Sequence, residues 1–319
     1  MGDKKRGKGK GKGRNKGGKG SRPTVVEDAA AADGPGVDFA VAPSQTLRAG
    51  PDVRLADIDP RSTPGYPGDK DDGVAALARA DGELSELQER FFAASRGGQK
   101  TGGVLLILQA MDTAGKGGIV RHVIGAVDPQ GVAHRAFKAP TEEEKSHDFL
   151  WRIERELPEA GIIGVFDRSH YEDVLIHRVR ALSPAEEIER RYGAIRQFEA
   201  RVAASGTRLI KVMLHISKEE QHGRLSERLE RPDKYWKFNP GDIDERELWD
   251  SYMDAYETAI RRTDFDEAPW FVVPADRKWY ARIAVQQLVI DALKDIGPQW
   301  PPADFDIEEQ KRRLAESGS

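Results

Sequence analysis

Residues 104–118 read VLLILQAMDTAGKGG, and this stretch decides the fold class. Its first six residues are a largely apolar run of strand length, which is typical of a strand buried on both faces. The loop that follows has the length and the lysine position of a GxxxxGK phosphate-binding loop leading into a helix. Its backbone N–H groups would point at a phosphate, and Lys116 would add a positive charge. The predicted phosphate-binding backbone positions are Ala114, Gly115, Gly117 and Gly118.

This loop departs from the usual pattern at two positions. Ala110 stands where the first glycine of the pattern usually is, and Gly117 replaces the serine or threonine that commonly binds magnesium. Asp112 places a carboxylate among phosphate-binding groups, where repulsion would be costly unless a divalent cation lay between them. We therefore expect Asp112 to be the replacement Mg²⁺ ligand. The alternative, a glycine-rich turn without a ligand, does not account for the strand before the loop and the helix after it.

Further apolar runs of strand length follow at residues 162–166, 209–216 and 270–273, with a weaker run at 133–137, and helical stretches separate them. Such alternation predicts an α/β fold with a central parallel sheet whose faces are covered by helices. The run at 162–166 ends in Asp167, at the carboxyl edge where open α/β sheets bind ligands. We interpret Asp167 as a Walker B-like, metal-binding carboxylate. The alternative is that it only caps the next helix.

Phosphoryl transfer also needs positive groups that neutralise the charge spreading over the oxygens of the transferring phosphate. Two arginines stand in the right region of the sequence. Arg168 directly follows Asp167, and Arg121 lies in the helix after the phosphate-binding loop. We expect Arg168 to be catalytic and Arg121 to bind phosphate.

A third group of arginines lies further along the chain. Arg224, Arg228 and Arg231 recur at helical spacing on one face, which predicts a lid that closes over the phosphates and binds them. Alternatively, these arginines pair with Glu227 and Glu230 on a solvated helix face. Spacing alone does not separate the two interpretations.

Helix starts are predicted by capping boxes, in which a serine or threonine and a glutamate three residues later bond each other's backbone N–H groups. Three such boxes occur, at Thr141 with Glu144, at Ser183 with Glu186, and at Ser217 with Glu220. An amphipathic helix is also predicted over residues 73–95, and a short charged helix over 306–314. The core-facing positions predicted for the first of these are Val74, Leu77, Leu84, Leu87 and Phe91.

The charge distribution divides the chain. The net charge is −4 overall, but residues 1–22 hold ten Lys or Arg and one Asp, so that +9 in this segment leaves −13 for the rest. A segment that alternates basic residues with glycine buries nothing apolar, so we predict a disordered basic tail with a purely electrostatic role. We expect an N-terminal arm at 23–72, a P-loop phosphotransferase domain at 73–300 with a lid at about 217–240, and a C-terminal tail at 301–319.

Composition limits the remaining function classes. The chain has 319 residues, of which 38% are hydrophobic, enough for one large α/β domain. It contains no cysteine, which excludes a disulfide framework, a thiolate zinc site and a cysteine nucleophile. There is no apolar run near the roughly 18 residues that a membrane span requires, and no signal-peptide pattern. We therefore expect a cytoplasmic protein without a membrane partner.

Five longer stretches resemble one known family. They are QAMDTAGKGGIVRHV (109–123), FKAPTEEEKSHDFLWR (137–152), VFDRSHYEDVL (165–175), KYWKFNPGDIDERELWDSYMDAYE (234–257) and APWFVVPADRKWY (268–280). The chain resembles polyphosphate kinase family 2 over roughly residues 53–293. This resemblance implies a thymidylate-kinase-like fold with a central parallel sheet, flanking helices and a helical lid. It also implies a Mg²⁺-dependent, often reversible transfer of phosphate from inorganic polyphosphate to AMP or ADP.

The resemblance further implies roles for individual residues. It places Asp112, Lys116, Asp167 and Arg168 at the catalytic Walker positions, with Asp112 and Asp167 as the metal ligands. It implies that Lys138 contacts phosphate and that Glu172 borders the acceptor nucleotide. Arg224 and Arg228 match lid arginines of the family.

Two other functions remain open from the sequence. An ATP-dependent nucleoside monophosphate kinase would use a similar loop for the β- and γ-phosphates of ATP. A P-loop nucleic-acid-binding regulator would rely on residues 1–22, although the chain has no NKxD motif and no recognisable RNA-binding module. We expect inorganic polyphosphate and AMP, ADP or ATP as partners of a homo-oligomer. Nucleic acid is expected, if at all, only at the basic tail.

Overall fold

The computed structural model describes residues 36–318 of the chain. The predicted basic tail at 1–22 and the first part of the predicted arm lie outside the described residues. In the described part, no helix has both the length and the apolar character needed to cross a bilayer.

A parallel sheet forms the centre of the molecule, as the alternation of apolar runs and helices predicts. Among the described residues it has five strands in the order β2-β3-β1-β4-β5, and every neighbouring pair runs parallel. The α/β class with a central parallel sheet is therefore confirmed. The strands are β1 (Val104–Ala110), β2 (Val132–Ala136), β3 (Ile163–Asp167), β4 (Arg208–His215) and β5 (Trp270–Pro274).

Helices flank this sheet. The longest pack in pairs, α2 against α11 and α7 against α10. The helices are α1 (Pro43–Thr46), α2 (Lys70–Arg96), α3 (Lys116–His122), α4 (Glu142–Lys145), α5 (Trp151–Glu154), α6 (Ile176–Val179), α7 (Ala185–Ala204), α8 (Lys218–Glu230), α9 (Gly241–Glu247), α10 (Trp249–Thr263), α11 (Lys278–Ile296) and α12 (Ile307–Ser317). Short 3₁₀ turns at His170–Asp173 and Pro232–Lys237 also matter for the site.

The central strand β1 brings the predicted site residues together. All seven of its residues are buried, and it lies between β3 and β4. Leu108 near its end is paired with Asp167 at the end of β3. The loop after β1 and the Asp167 carboxylate therefore reach the same carboxyl edge of the sheet, which is where ligands bind in open α/β folds.

The two edges of the sheet differ. β2 forms one edge and its residues are mostly exposed, which explains why its apolar run is the weakest. The other edge, β5, is covered by the arm, because Ala49 N–H donates to Trp270 O at 2.8 Å and Val272 N–H donates to Leu47 O at 2.9 Å. Leu47 and Leu55 of the arm are buried in the core. The arm thus protects a strand edge that would otherwise be open to pairing.

Helix α2 begins earlier than predicted. Asp69 and Asp72 form a reciprocal capping box, so the helix starts at Lys70 and not at residue 73. Val74 was predicted to face the core but is 52% exposed, since the first turns of α2 lie at the surface. The later positions Leu84, Leu87 and Phe91 are buried as predicted.

The three predicted capping boxes have different outcomes. The box at Thr141 and Glu144 is complete. The Ser217 hydroxyl accepts a bond from Glu220 N–H, but the Glu220 carboxylate accepts from Arg224 instead of closing the box. The Ser183 prediction was wrong, because its hydroxyl lies 2.9 Å from His177 Nδ1 and α7 starts after Pro184 without a side-chain cap.

Candidate active site

Two pockets meet at the carboxyl edge of the sheet and share the side chains of Asp112 and Arg168. The first, which we name the basic pocket, is lined by the phosphate-binding loop, Asp167 and, besides Arg168, seven lysine and arginine side chains, of which Lys116 belongs to the loop itself. The second, the acidic pocket, is lined by Glu172, Asp242, Glu245 and the aromatic side chains of Tyr252 and Tyr256. The basic side chains unique to the first are Lys116, Arg121, Arg228, Lys234, Lys237, Lys278 and Arg282.

The loop between β1 and α3 is held in a tight turn. Gly115 has φ +117°, which glycine adopts readily, and Thr113 has φ +67°, which is costly for a β-branched residue. The ammonium group of Lys116 lies 3.4 Å from Ala110 O and 3.9 Å from Asp167 Oδ1. The loop backbone and the lysine therefore both line the basic pocket, as the sequence pattern predicts.

Arg168 connects the two pockets electrostatically. Its Nη2 donates to Asp112 Oδ1 at 3.0 Å, and its Nη1 lies 3.8 Å from Glu172 Oε2. Burial works against the guanidinium charge, but the carboxylates of Glu172 and Asp112 outweigh it and raise the pKa of Arg168. Its backbone has φ +65°, and its N–H donates to Leu108 O, which fixes the side chain above the sheet edge.

The wall of the basic pocket formed by α3 and α11 carries charges without counterions. Within residues 36–318, Arg121, Lys278 and Arg282 form no ion pair. Burial, reinforced by the nearby Arg121 charge, lowers the pKa of Arg282. Burial, reinforced by Arg224, lowers the pKa of Lys278. An anion in the pocket would relieve this repulsion, so the wall is suited to a highly charged ligand.

The acidic pocket has the opposite character. Burial raises the pKa of Glu172 although the neighbouring Arg168 and Lys116 oppose it. Burial also raises the pKa of Asp242, and the Asp112 carboxylate adds to this shift. Apolar contact surface comes from Leu175 and Ile176. A ligand there would meet carboxylates, tyrosine rings and one arginine, a combination suited to a polar molecule with a flat apolar part.

The carboxylates at the sheet edge fit a magnesium ion. Asp112 and Asp167 both line the basic pocket next to the loop. Among the described residues no cluster of three or more His, Asp or Glu could hold a metal alone. Mg²⁺ commonly binds through one or two carboxylates together with water and phosphate oxygens, so two carboxylates beside a phosphate-binding loop are sufficient.

The comparisons with known proteins agree with this geometry. A family model described as Polyphosphate kinase 2 (PPK2) matches residues 68–300. The chain belongs to the PPK2 family. This chain therefore has the P-loop kinase fold of that family.

Individual members of the PPK2 family are similar over most of the chain. An AMP/ADP-polyphosphate phosphotransferase of Meiothermus ruber is 44% identical over 256 residues, covering 80% of this chain and 94% of the relative. An ADP-polyphosphate phosphotransferase of Rhodopseudomonas palustris is 44% identical over 230 residues, covering 68% of this chain and 78% of the relative. The crystal structure of polyphosphate kinase 2 from Arthrobacter aurescens TC1 has a TM-score of 0.86 and 58% identity, covering 88% of this chain and 99% of that one.

Three predicted phosphate ligands of this PPK2 chain do not line the basic pocket. Arg224 is buried behind the loop, with its guanidinium bonded to protein oxygens. Arg231 follows the last residue of α8, is exposed and is paired with Glu227 and Asp233, so that among the described residues the alternative pairing with Glu227 is found and the one with Glu230 is not. Lys138 is exposed and lies outside both pockets, and its carbonyl accepts a bond from Arg152. Arg228 does line the basic pocket, where it also bonds Lys237 O and Asp242.

Two groups of pocket residues in this PPK2 chain were not predicted from the sequence. Lys278 and Arg282 lie one turn apart at the start of α11. They follow β5 at the same sheet edge as the loop, and this placement could have indicated them. The acidic-pocket residues Asp242 and Tyr256 lie on α9 and α10, far from the loop in sequence, and only the motif at 234–257 pointed to that region.

Proposed function

We propose that this chain transfers the terminal phosphate of inorganic polyphosphate to AMP, ADP or both. The observation that carries the proposal is the junction of a basic and an acidic pocket at Asp112 and Arg168. Polyphosphate would lie in the basic pocket and the acceptor nucleotide in the acidic one. The phosphoryl group would then pass between them at the shared residues.

The charge of the basic pocket supports polyphosphate as the donor. A polyphosphate chain carries about one negative charge per internal phosphate and has no base or ribose to bind, so its recognition must rest on cations. Arg228 and Arg282 can each hold two phosphate oxygens, whereas Lys278 supplies a mobile point charge. The uncompensated charges on α11 extend the basic surface away from the loop, as an extended polyanion requires.

Chemistry at the junction needs positioning and charge neutralisation more than covalent participation. Lys116 and Arg168 would stabilise negative charge on the transferring group. Glu172, next to Arg168, would help orient that arginine towards the acceptor. Asp112 and Asp167 would hold magnesium, which when bound neutralises phosphate oxygens and fixes their geometry.

The names of the relatives support the choice of acceptors. The Meiothermus ruber protein is named for both AMP and ADP, and the Rhodopseudomonas palustris protein for ADP. Tyr252 and Tyr256 in the acidic pocket offer rings against which a nucleobase could pack. We therefore propose both nucleotides as acceptors.

We also propose a cytoplasmic homo-oligomer. Nucleotide substrates are cytoplasmic metabolites, which supports the location. Large apolar side chains near the C-terminus are exposed, and a contact between subunits would cover them. They are Trp300, Phe305, Ile307 and Leu314. Light scattering on the purified chain would measure the oligomeric state.

The donor assay tests the proposed reaction. The full chain would be incubated with magnesium, one nucleotide and either polyphosphate or ATP, and the products separated by chromatography. We expect formation of ADP from AMP or ATP from ADP with polyphosphate. Efficient AMP phosphorylation by ATP, without activity on polyphosphate, would favour the monophosphate-kinase alternative.

A matched pair of variants tests the position of the donor. Arg282→Ala removes an uncompensated charge from the basic pocket and should raise the KM for polyphosphate several-fold. Lys294→Ala removes a charge from the same helix, but this lysine pairs with Glu83 outside the basic pocket. We expect it to leave the KM unchanged. Equal effects of the two substitutions would place the polyphosphate elsewhere.

A further inference from the structure

Arg224 lies behind the phosphate-binding loop and not inside the basic pocket. Only 6% of its side chain is exposed. Its Nε donates to Glu220 at 2.7 Å, and its Nη1 donates to Thr113 O at 3.0 Å and to Ala114 O at 2.9 Å. Its Nη2 donates to Ala275 O at 2.6 Å and to Asp276 O at 3.0 Å. The guanidinium therefore joins α8 to two separate loops.

This set of bonds saturates the arginine. A guanidinium has five N–H donors, and each of the five has a protein oxygen as its acceptor. None is left for a phosphate oxygen unless one of these bonds breaks. Arg228, one turn further along α8, uses only Nη1 in its bonds and lines the basic pocket. Two arginines on one helix face thus occupy different environments.

The bonds from α8 also fix the direction of the loop backbone. Gln221 Nε2 donates to Asp112 O at 3.2 Å, so three successive carbonyls, those of residues 112–114, accept from side chains of α8. Thr113 in the middle has the unfavourable φ of +67°. A strained backbone persists only when its surroundings hold it. Arg224 and Gln221 supply that restraint through these three carbonyls.

The second loop held by Arg224 leads into α11. Asp276, whose carbonyl accepts from Arg224, also accepts from the backbone N–H and the hydroxyl of Ser217. Lys278, two residues later, lines the basic pocket. A single buried side chain therefore bonds both the phosphate-binding loop and the loop that leads to the cationic wall on α11.

We propose that Arg224 is a positioning residue that fixes the phosphate-binding loop relative to α11, and that it makes no contact with polyphosphate. The first two turns of α8 then belong to the rigid core. Any closure of the lid is confined to the chain after Leu225. This inference rests on the proposed function only for its kinetic readout, because the geometry of the loop can be tested without substrate.

Three variants of the full chain separate positioning from phosphate binding. Arg224→Met removes all five donors, and Arg224→Lys keeps the charge but replaces the planar fork by one nitrogen that cannot reach both loops. Arg228→Met is the matched control on the same helix face. Hydrogen exchange of peptides covering residues 110–118 would be measured without ligand. In a separate experiment, kcat and the KM for polyphosphate would be measured over a range of salt concentrations.

The expected results differ for the two arginines. Both Arg224 variants should accelerate exchange in the loop and lower kcat about 10- to 100-fold, since small displacements of reacting groups have effects of that size. The slope of log KM against log salt should stay at the wild-type value. Arg228→Met should leave loop exchange unchanged and reduce that slope by about 0.7 to 0.9, the change for one lost phosphate contact in nucleic acids.

The opposite pattern would overturn the proposal. If Arg224→Met reduced the salt slope with unchanged loop exchange, or if Arg224→Lys restored most of kcat, Arg224 would be a phosphate ligand. Should the Met variant fail to fold by circular dichroism, the Lys variant decides the question alone. If the wild-type chain had no activity with polyphosphate, the proposed function would be refuted. The comparison of hydrogen exchange would still test the position of Arg224.

Discussion

Asp112 is one of the two residues that line both pockets. It lines the basic and the acidic pocket, accepts from Arg168 at 3.0 Å and lies in the loop that lacks the usual serine or threonine. Loss of its negative charge would therefore affect metal binding and the orientation of Arg168 together. Asparagine has nearly the same size as aspartate, so replacing Asp112 by Asn changes the charge without changing the packing.

We predict that Asp112→Asn lowers kcat at least 100-fold, by analogy with the removal of one group that stabilises charge in a transition state. The fold should persist, because the side chain is partly exposed and the substitution is isosteric. Steady-state kinetics at increasing magnesium would measure the loss and a raised magnesium requirement. Asp233→Asn, a carboxylate paired with the exposed Arg231, is the matched control and should be active. Normal turnover of Asp112→Asn with unchanged magnesium dependence would contradict the prediction.

Side chains were predictable from the sequence when a local pattern specified them. Lys116 and Asp167 stand at fixed positions relative to a strand, and the structure brings both to the basic pocket. Arg224 and Arg228 share a helix face, but which of them reaches the pocket depends on the carbonyls of distant loops. Such long-range partners leave no signature in the spacing of the arginines themselves.

At the scale of elements, strand β4 carries an unusual buried charge. Lys211 is fully buried, and its Nζ lies 2.6 Å from Glu199 Oε2 of α7 and 2.8 Å from Thr263 O of α10. Glu199 also accepts from Tyr171, in the turn that carries Glu172. Burial opposes the charge of Glu199, but Lys211 outweighs it and lowers the pKa of this carboxyl. The network therefore ties three elements to the turn at the acidic pocket.

We predict that Lys211→Met reduces the free energy of unfolding by about 3 to 5 kcal/mol, because it leaves the buried Glu199 carboxylate without its counterion. Urea unfolding followed by circular dichroism would measure it. The control is Lys294→Met, which removes an exposed ion pair with Glu83 and should cost less than about 1 kcal/mol.

A double substitution distinguishes this explanation from simple loss of packing. Lys211→Met combined with Glu199→Leu removes both charges, and such apolar replacement of a buried pair is often tolerated. We expect the double variant to be more stable than Lys211→Met alone. Additive destabilisation by the two substitutions would show that the unpaired charge is not the cause.

Elements were predicted well where burial and periodicity coincide. The five strands were found because each parallel strand covered by helices reads as an apolar run, and the exposed β2 was accordingly the weakest. Helix starts were less predictable, because a capping hydroxyl can find another partner. Ser183 bonds His177 and leaves α7 uncapped, which its neighbours in the sequence do not reveal.

At the scale of the whole molecule, charge is divided between the first 22 residues and the rest. Those residues carry a net charge of +9, and the remainder of the chain carries −13. The basic pocket is a positively charged region within this negatively charged remainder. A segment with this charge would attract polyphosphate at long range, and salt would screen the attraction.

We predict that deletion of residues 1–22 leaves kcat nearly unchanged and raises the KM for polyphosphate at low salt, with a smaller effect at high salt. Initial rates at saturating and limiting polyphosphate would measure both parameters. A control chain of full length, with the ten basic residues of this segment replaced by serine, should behave like the deletion. A loss of kcat at every salt concentration would indicate a role in catalysis instead of capture.

The arm that covers β5 has a consequence for how the protein is made. Arg48 bonds Asp264, 216 residues further along the chain, and the backbone pairs with β5 just beyond it. Ribosomes add about 5 to 20 residues per second, so the arm leaves the ribosome about 10 to 45 seconds before its partner strand exists. During that interval Leu47 and Leu55 have no core to enter, so these two apolar side chains stay exposed to solvent until β5 has been synthesised.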